Sequence, residues 1–136
     1  MDKNDEFYTL KGYKLKEKNF ITEAMEDYLE MIFRMNNPVH INDLANKLNV
    51  KPSSASKMVN KLKEKKLVNF EKYGNINLTN EGYILGNFLL WRHNTLVDFF
   101  KWLNKNDYSL KQVEKIEHFV DLVSLKNMTK IKGKSK

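Results

Sequence analysis

The most constraining feature of the sequence is a series of short predicted elements in the middle of the chain. Two short helices come first, and the second runs from Ser53 or Ser54, after the break at Pro52, to about Lys66. Asn42 is the predicted N-cap of the first. The apolar residues that recur at helical spacing are Leu44, Ala45 and Leu48, then Ala55, Met58, Val59 and Leu62. Two such helices, the second rich in serine and lysine, are typical of a helix-turn-helix.

A predicted β-hairpin follows the second short helix directly. Apolar residues alternate in segments 67–73 and 76–79, which flank the turn residues Gly74 and Asn75. A hairpin in this position is a wing, so the pattern indicates a winged helix-turn-helix. The predicted fold class is mainly α with a small β-hairpin: a winged helix-turn-helix DNA-binding domain followed by a helical region.

Three longer helices are predicted around this motif. They run from Thr22 to about Asn36, from Asn80 to about Leu103, and from Ser109 to beyond Val123. Thr22 and Ser109 are the predicted N-caps of the first and the last. The long middle helix, with Trp91 and Trp102, carries more apolar surface than one small core needs, which indicates burial against a second subunit.

Four regions follow from this division. Residues 1–20 show no helical period and are predicted to be a mostly mobile basic arm. The DNA-binding domain is expected over residues 21–82, and a helical dimerisation and metal-binding region over residues 83–125. Residues 126–136 hold five lysines and no acid, and are predicted to be a basic C-terminal tail.

Composition narrows the function classes. The 136 residues include no cysteine, which excludes disulfides, thiolate metal sites and a cysteine nucleophile. No apolar run is long enough for a membrane span and the first residues do not form a signal sequence, so a cytoplasmic protein without membrane association is expected. The net charge of +7 favours a nucleic-acid partner, since residues 38–80 alone carry eight lysines against three acids.

Six polar side chains lie where an amphipathic pattern does not require them. They are Asp27 and Glu30 on the first long helix, His93 on the second, and Glu114, Glu117 and His118 on the last. Spacings of three and four place neighbours on one side of a helix. If these faces meet, four carboxylates repel one another, and divalent cations would cancel their charge. Carboxylate and imidazole ligands without thiolate suit Mn²⁺, Fe²⁺, Co²⁺ or Zn²⁺.

Each of these motifs also has an ordinary structural explanation. Two acids three residues apart on a helix are most often a solvated face, and a single helical histidine is more often structural than a ligand. His40 is assigned a structural role, as the residue that opens the first short helix.

Six motifs in order give the sequence a family resemblance. They are residues 25–30 (MEDYLE), 52–59 (PSSASKMV), 71–73 (EKY), Leu78-Thr79 with Gly82, Arg92-His93, and residues 113–118 (VEKIEH). Over residues 21–125 the chain resembles the DtxR/MntR family of metal-dependent transcriptional repressors. The resemblance implies a homodimer that binds a double-stranded DNA operator when a divalent metal lies between its DNA-binding and dimerisation helices, and that controls metal-homeostasis genes.

The resemblance also implies a ligand set and a branch of the family. The metal ligands would be Asp27, Glu30, His93, Glu114, Glu117 and His118. Asp27 and Glu114 stand where the iron-type branch has Met and Cys, which indicates the manganese-type branch and Mn²⁺ as the first metal, before Fe²⁺, Co²⁺ or Zn²⁺. The SH3-like domain of the iron-type branch is expected to be absent.

DNA contacts are expected from the recognition helix and the wing. The candidates are Lys51, Ser53, Ser54, Ser56, Lys57, Lys61, Lys72 and Tyr73. For each lysine the alternative is plain solubility. Because the start of the recognition helix lacks Arg, Asn and Gln, shape readout is expected to matter more than bidentate base contacts.

Two other functions were weighed. A winged-helix regulator that needs no metal would use the six polar residues as surface charge. A di-metal carboxylate enzyme is disfavoured, because such sites use paired Glu-x-x-His motifs, whereas Glu114 and His118 are four residues apart. We therefore predict a regulator and not an enzyme.

Overall fold

The computed structural model describes the backbone of residues 3–36, 38–71 and 74–134, and the side chains of residues 9–36, 38–71 and 74–131. The chain forms two compact units, Met1–Leu89 and Leu90–Lys136. Within the described residues, no helix combines the length and hydropathy that a bilayer crossing requires. The predicted fold class is confirmed: the structure is mainly helical with a small antiparallel sheet.

Among its described residues, the first unit contains five helices and three strands, and the last helix continues into the second unit. The elements are α1 (Lys3–Asn19), α2 (Glu23–Met35), β1 (Val39–His40), α3 (Ile41–Leu48), α4 (Pro52–Glu64), β2 (Val68–Phe70), β3 (Asn75–Leu78) and α5 (Asn80–Leu103). The strand order is β1-β3-β2, with Val39 opposite Ile76 and Val68 opposite Leu78. α3, α4 and the β2–β3 hairpin therefore form the predicted helix-turn-helix and wing.

The apolar residues that predicted these helices form the core of the first unit. Leu29 and Ile32 of α2, Leu44 of α3, Val59 and Leu62 of α4, and Ile76 of β3 have no exposed surface. Met58 and Leu48 are half-buried, at the edge of this core. Thr22 is the N-cap of α2 as predicted, since its hydroxyl accepts a hydrogen bond from the Met25 amide at 3.2 Å.

The predicted cap of the first short helix is wrong. His40, not Asn42, caps α3: Nδ1 of His40 accepts a hydrogen bond from the Asn42 amide at 3.1 Å. His40 also lies in β1, a two-residue strand that the sequence did not predict. His40 therefore has a structural role, as expected: it belongs to the sheet and also caps the first helix of the helix-turn-helix.

The prediction of a mobile arm over residues 1–20 is also wrong. Residues Lys3–Asn19 form α1, in which Thr9, Gly12 and Leu15 are buried. Tyr13 contacts the ring of Phe88 edge to face, with centroids 6.0 Å apart. The Asn19 carbonyl accepts a hydrogen bond from Nζ of Lys65 at 2.6 Å. α1 is therefore a packed part of the first unit.

The second unit contains the end of α5, α6 (Leu110–Ile116), a 3₁₀ turn (Glu117–Phe119) and α7 (Leu122–Lys134). The single last helix predicted from Ser109 is wrong beyond Ile116. Val120 has an extended backbone, and the Asp121 carboxylate accepts a hydrogen bond from the Ser124 amide at 2.8 Å, which starts a new helix. α7 continues into the segment predicted to be a basic C-terminal tail, most of which is helical.

Candidate metal and DNA sites

The two candidate ligands of the first unit lie on α2. Asp27 is exposed, whereas the Glu30 side chain is only 12% exposed and its carboxylate lies 2.6 Å from Nη2 of Arg34. Their spacing of three residues on a continuous helix gives them a common side, as expected. Burial raises the pKa of Tyr28, the residue that follows Asp27.

In the second unit the structure brings His93 and Glu117 together. Nδ1 of His93, in α5, lies 3.0 Å from Oε2 of Glu117 in the 3₁₀ turn, and the two residues are 8% and 2% exposed. A carboxylate can only accept, so the Nδ1–H of a neutral His93 donates to it and Nε2 keeps its lone pair. The contact orients the ring, as carboxylates do for ligating histidines in metal sites.

His118 and Glu114 have different surroundings. His118 is half-buried, and its Nδ1 lies 3.5 Å from Nη2 of Arg92. Glu114 is exposed on α6. Because α6 ends at Ile116, the continuous helical face expected for Glu114, Glu117 and His118 is interrupted by the 3₁₀ turn.

The chemistry of these donors fits a hard or borderline divalent cation. Carboxylate oxygens and imidazole nitrogens without sulfur suit Mn²⁺, Fe²⁺, Co²⁺ and Zn²⁺. Glu117 in the second unit is 2% exposed, and a carboxyl group buried to this extent needs a polar partner, which the 3.0 Å contact with His93 provides.

The DNA candidates of the recognition helix are exposed on α4. Ser53, Ser54, Lys57 and Lys61 are exposed and Ser56 is half-buried. Lys51 is the exposed N-cap of α4, and its side chain makes no capping hydrogen bond. Lys72 and Tyr73 lie outside the described residues. Two other lysines of this segment bond inside the protein: Lys63 donates to the Phe70 carbonyl and Lys65 to that of Asn19.

Sequence reasoning missed two buried charged residues. Glu26 in the first unit is 2% exposed and Arg92 in the second is 1% exposed. Both lie inside motifs that carried the resemblance, but neither was considered separately. The signal that was available is a charged residue within an apolar run, Leu89-Leu90-Trp91 before Arg92.

Comparison with known proteins identifies the family. Residues 20–76 match a family model described as "Iron dependent repressor, N-terminal DNA binding domain". Over 103 residues the chain is 39% identical to the HTH-type transcriptional regulator MntR of Shouchella clausii (strain KSM-K16), covering 73% of this chain and 72% of that protein. It is 35% identical over 108 residues to MntR of Oceanobacillus iheyensis, covering 76% and 74%.

The chain belongs to the MntR family of HTH-type transcriptional regulators. This membership confirms the predicted resemblance, the DNA partner and the expectation that the chain is not an enzyme. The match to the family model begins at residue 20, so α1 precedes it.

Two solved structures have the same fold. The manganese regulator SloR is 29% identical, with a TM-score of 0.65, and the match covers 79% of this chain and 52% of SloR. ScaR with bound Zn²⁺ is 22% identical, with a TM-score of 0.66 and the same coverage. The chain therefore spans about half the length of these two structures.

Proposed function

We propose that this chain is a metal-dependent repressor that binds operator DNA as a homodimer in the cytoplasm. Its DNA affinity rises when a divalent cation binds, with Mn²⁺ as the first choice and Fe²⁺, Co²⁺ or Zn²⁺ as alternatives. The observation that carries the proposal is the buried His93–Glu117 contact of 3.0 Å, which places two of the proposed ligands side by side in the second unit. The relative described as a manganese regulator supports the choice of metal.

The proposed ligands come from both units of the chain. They are Asp27, Glu30, His93, Glu114, Glu117 and His118. A bound cation would supply positive charge that offsets the mutual repulsion of the four carboxylates. Because Asp27 and Glu30 are on a helix of the DNA-binding unit, ligation would couple that unit to the second one. The coupling expected of such a device is about 1–3 kcal/mol.

A second copy of the chain is proposed to cover the exposed apolar residues of the second unit. Trp102, Phe119 and Val123 are 42%, 75% and 68% exposed, and Leu103 and Leu110 are also exposed. Exposed apolar side chains in this number mark an interaction surface. A homodimer would present two recognition helices, which have to match half-sites about 34 Å apart.

On DNA, α4 and the wing are proposed to make the contacts. Lys51, Lys57, Lys61 and Lys72 would bind phosphates together with Tyr73, and the serines of the first turn would reach phosphates or base edges. The DNA-binding domain is proposed over residues 21–82 and the dimerisation and metal-binding region over 83–125. The controlled genes proposed are those of metal homeostasis.

DNA affinity measured with and without Mn²⁺ tests this function. The wild type should bind a family operator at least about fivefold more tightly with Mn²⁺, whereas Glu117→Gln, which keeps the size of the side chain but removes its charge, should lose most of this gain. The control is Glu81→Gln, which removes an exposed carboxylate in the first turn of α5 and should respond to Mn²⁺ like the wild type. Equal DNA affinity with and without Mn²⁺ in the wild type would indicate the metal-independent regulator instead.

A further inference from the structure

The outer face of α4 is defined by the residues that lie opposite its core contacts. Ala55, Val59 and Leu62 have no exposed surface. Successive residues of a helix are rotated by about 100°, which determines the positions on the opposite side. These positions are all exposed, and they are Ser53, Lys57, Asn60 and Glu64. This row, here called the outer face of α4, is the part of the recognition helix that points away from the protein.

Asn60 is an unexpected residue at its place in the helix. It lies in the interior of α4, where asparagine is less favourable than alanine, leucine or lysine because its short amide competes for backbone hydrogen bonds. Its side chain is exposed and makes no hydrogen bond to any residue that the structure describes. The amide neither caps a helix nor joins two elements there, so it is available to a ligand outside the protein.

The side chains of the outer face differ in what they can recognise. Lys57 has only donors, and the hydroxyl of Ser53 is short and makes single hydrogen bonds. Asn60 carries a donor, Nδ2–H, next to an acceptor, Oδ1. In the major groove, adenine presents an acceptor, N7, next to the donor N6 amino group, and an asparagine amide matches this pair with two hydrogen bonds.

The position of Asn60 along α4 is compatible with such a contact. Asn60 lies two turns after Ser53, about 10 Å along the helix axis, so both residues can lie within one major groove, which is about 12 Å wide. Glu64, one turn further, ends the helix with a charge that phosphates repel. The part of the outer face that suits DNA therefore ends at Asn60.

We propose that Asn60 reads an adenine in each half-site of the operator, with Nδ2 donating to N7 and Oδ1 accepting from the N6 amino group. The inference rests on the proposed function, because it needs α4 to lie in the major groove. Asn60 then determines specificity, whereas the lysines of this segment determine affinity through phosphates.

Selection of binding sites from random duplex DNA, with Mn²⁺ present, tests the inference without a known operator. The wild type should select an adenine at a fixed position of each half-site. Asn60→Ala should select the same site without a base preference at that position. The control is Asn87→Ala, at an exposed position of α5, which should select the same site as the wild type, including this adenine.

A second measurement uses the unmodified protein and a modified base. In 7-deazaadenine a C–H group replaces N7, while base pairing is kept. Placed at the selected adenine of one half-site, it should weaken binding of the wild type about threefold to tenfold, as expected for one lost hydrogen bond. The same replacement should change binding of Asn60→Ala by less than about twofold, because the interaction is already absent.

Three results would overturn the inference. One is a wild-type site without a selected adenine in the half-site, and another is an adenine that Asn60→Ala selects as strongly as the wild type does. The third is an equal loss of affinity on 7-deazaadenine for both proteins. If the wild type selects no sequence at all with Mn²⁺, the proposed function fails together with the inference.

Discussion

Gly82, in the first turn of α5, gives a prediction in which two known effects oppose each other. Alanine is a better helix former than glycine by about 1 kcal/mol, so helix propensity alone predicts that Gly82→Ala stabilises the protein. The structure predicts the opposite. A Cβ atom at this position would overlap the Leu67 carbonyl oxygen and lie 2.9 Å from its carbon.

The expected loss of stability follows from the atoms that would clash with the new Cβ. Leu67 is buried, and its carbonyl already accepts a hydrogen bond from the Thr79 amide at 3.1 Å, so the backbone there cannot move aside freely. The Gly82 amide is held as well, by donating to Oγ1 of Thr79 at 3.0 Å. Overpacking of this kind costs about 3 kcal/mol, the upper end of the usual range, which leaves a net loss of about 2 kcal/mol after the helix-propensity gain.

Thermal unfolding followed by circular dichroism measures this loss. For a chain of this size, about 2 kcal/mol corresponds to a fall in Tm of roughly 6–10 °C. The control is Asn87→Ala at an exposed position of the same helix, which should change Tm little or raise it. A Gly82→Ala protein as stable as the wild type, or more so, would refute the close approach of α5 to Leu67.

Three further predictions concern single residues. His40→Ala should lower stability by about 1 kcal/mol in urea unfolding because α3 loses its cap, while His40→Ser should keep most of it; equal stability of His40→Ala and the wild type would contradict the cap. Hydrogen bonds from the amide and the hydroxyl of Ser124 hold the pKa of Asp121 below its usual value, so this carboxylate stabilises α7 at neutral pH and loses the effect as the pH falls through its folded-state pKa. Asp121→Asn should therefore be less stable than the wild type at pH 7, and this difference in stability should become smaller in acid. A stability difference that stays the same in acid would argue against the linkage. Lys57→Gln should weaken operator binding and reduce the slope of log affinity against log salt by about 1, which titrations at several salt concentrations measure; an unchanged slope would remove Lys57 from the phosphate contacts.

The elements that sequence predicted correctly are those with an apolar stripe or a strong turn signal. α2 and α4 have a regular buried face, and the hairpin has alternating residues around Gly74. The family resemblance added a set of candidate metal ligands. Periodicity alone could not distinguish these residues from an ordinary solvent-exposed helix face. Of that set, the contact between His93 and Glu117 could not be predicted from spacing, since 24 residues separate them.

The elements that sequence missed lack such signals for physical reasons. α1 buries Thr9 and Gly12 together with Leu15, so its buried side contains too few apolar residues to show a helical stripe. β1 has two residues, too few for any period to show. The Asp121 cap marks the start of α7 after the break, and an Asp three residues before Ser124 is a signal that was available.

An anomalous-difference map from crystals grown with Mn²⁺ tests most directly whether both units ligate one cation site. We expect strong peaks bound by carboxylates of Asp27 and Glu117 together with an imidazole of the second unit. Crystals that show no peak at these residues, or Mn²⁺ held by one unit alone, would contradict the coupling on which the proposed repression depends.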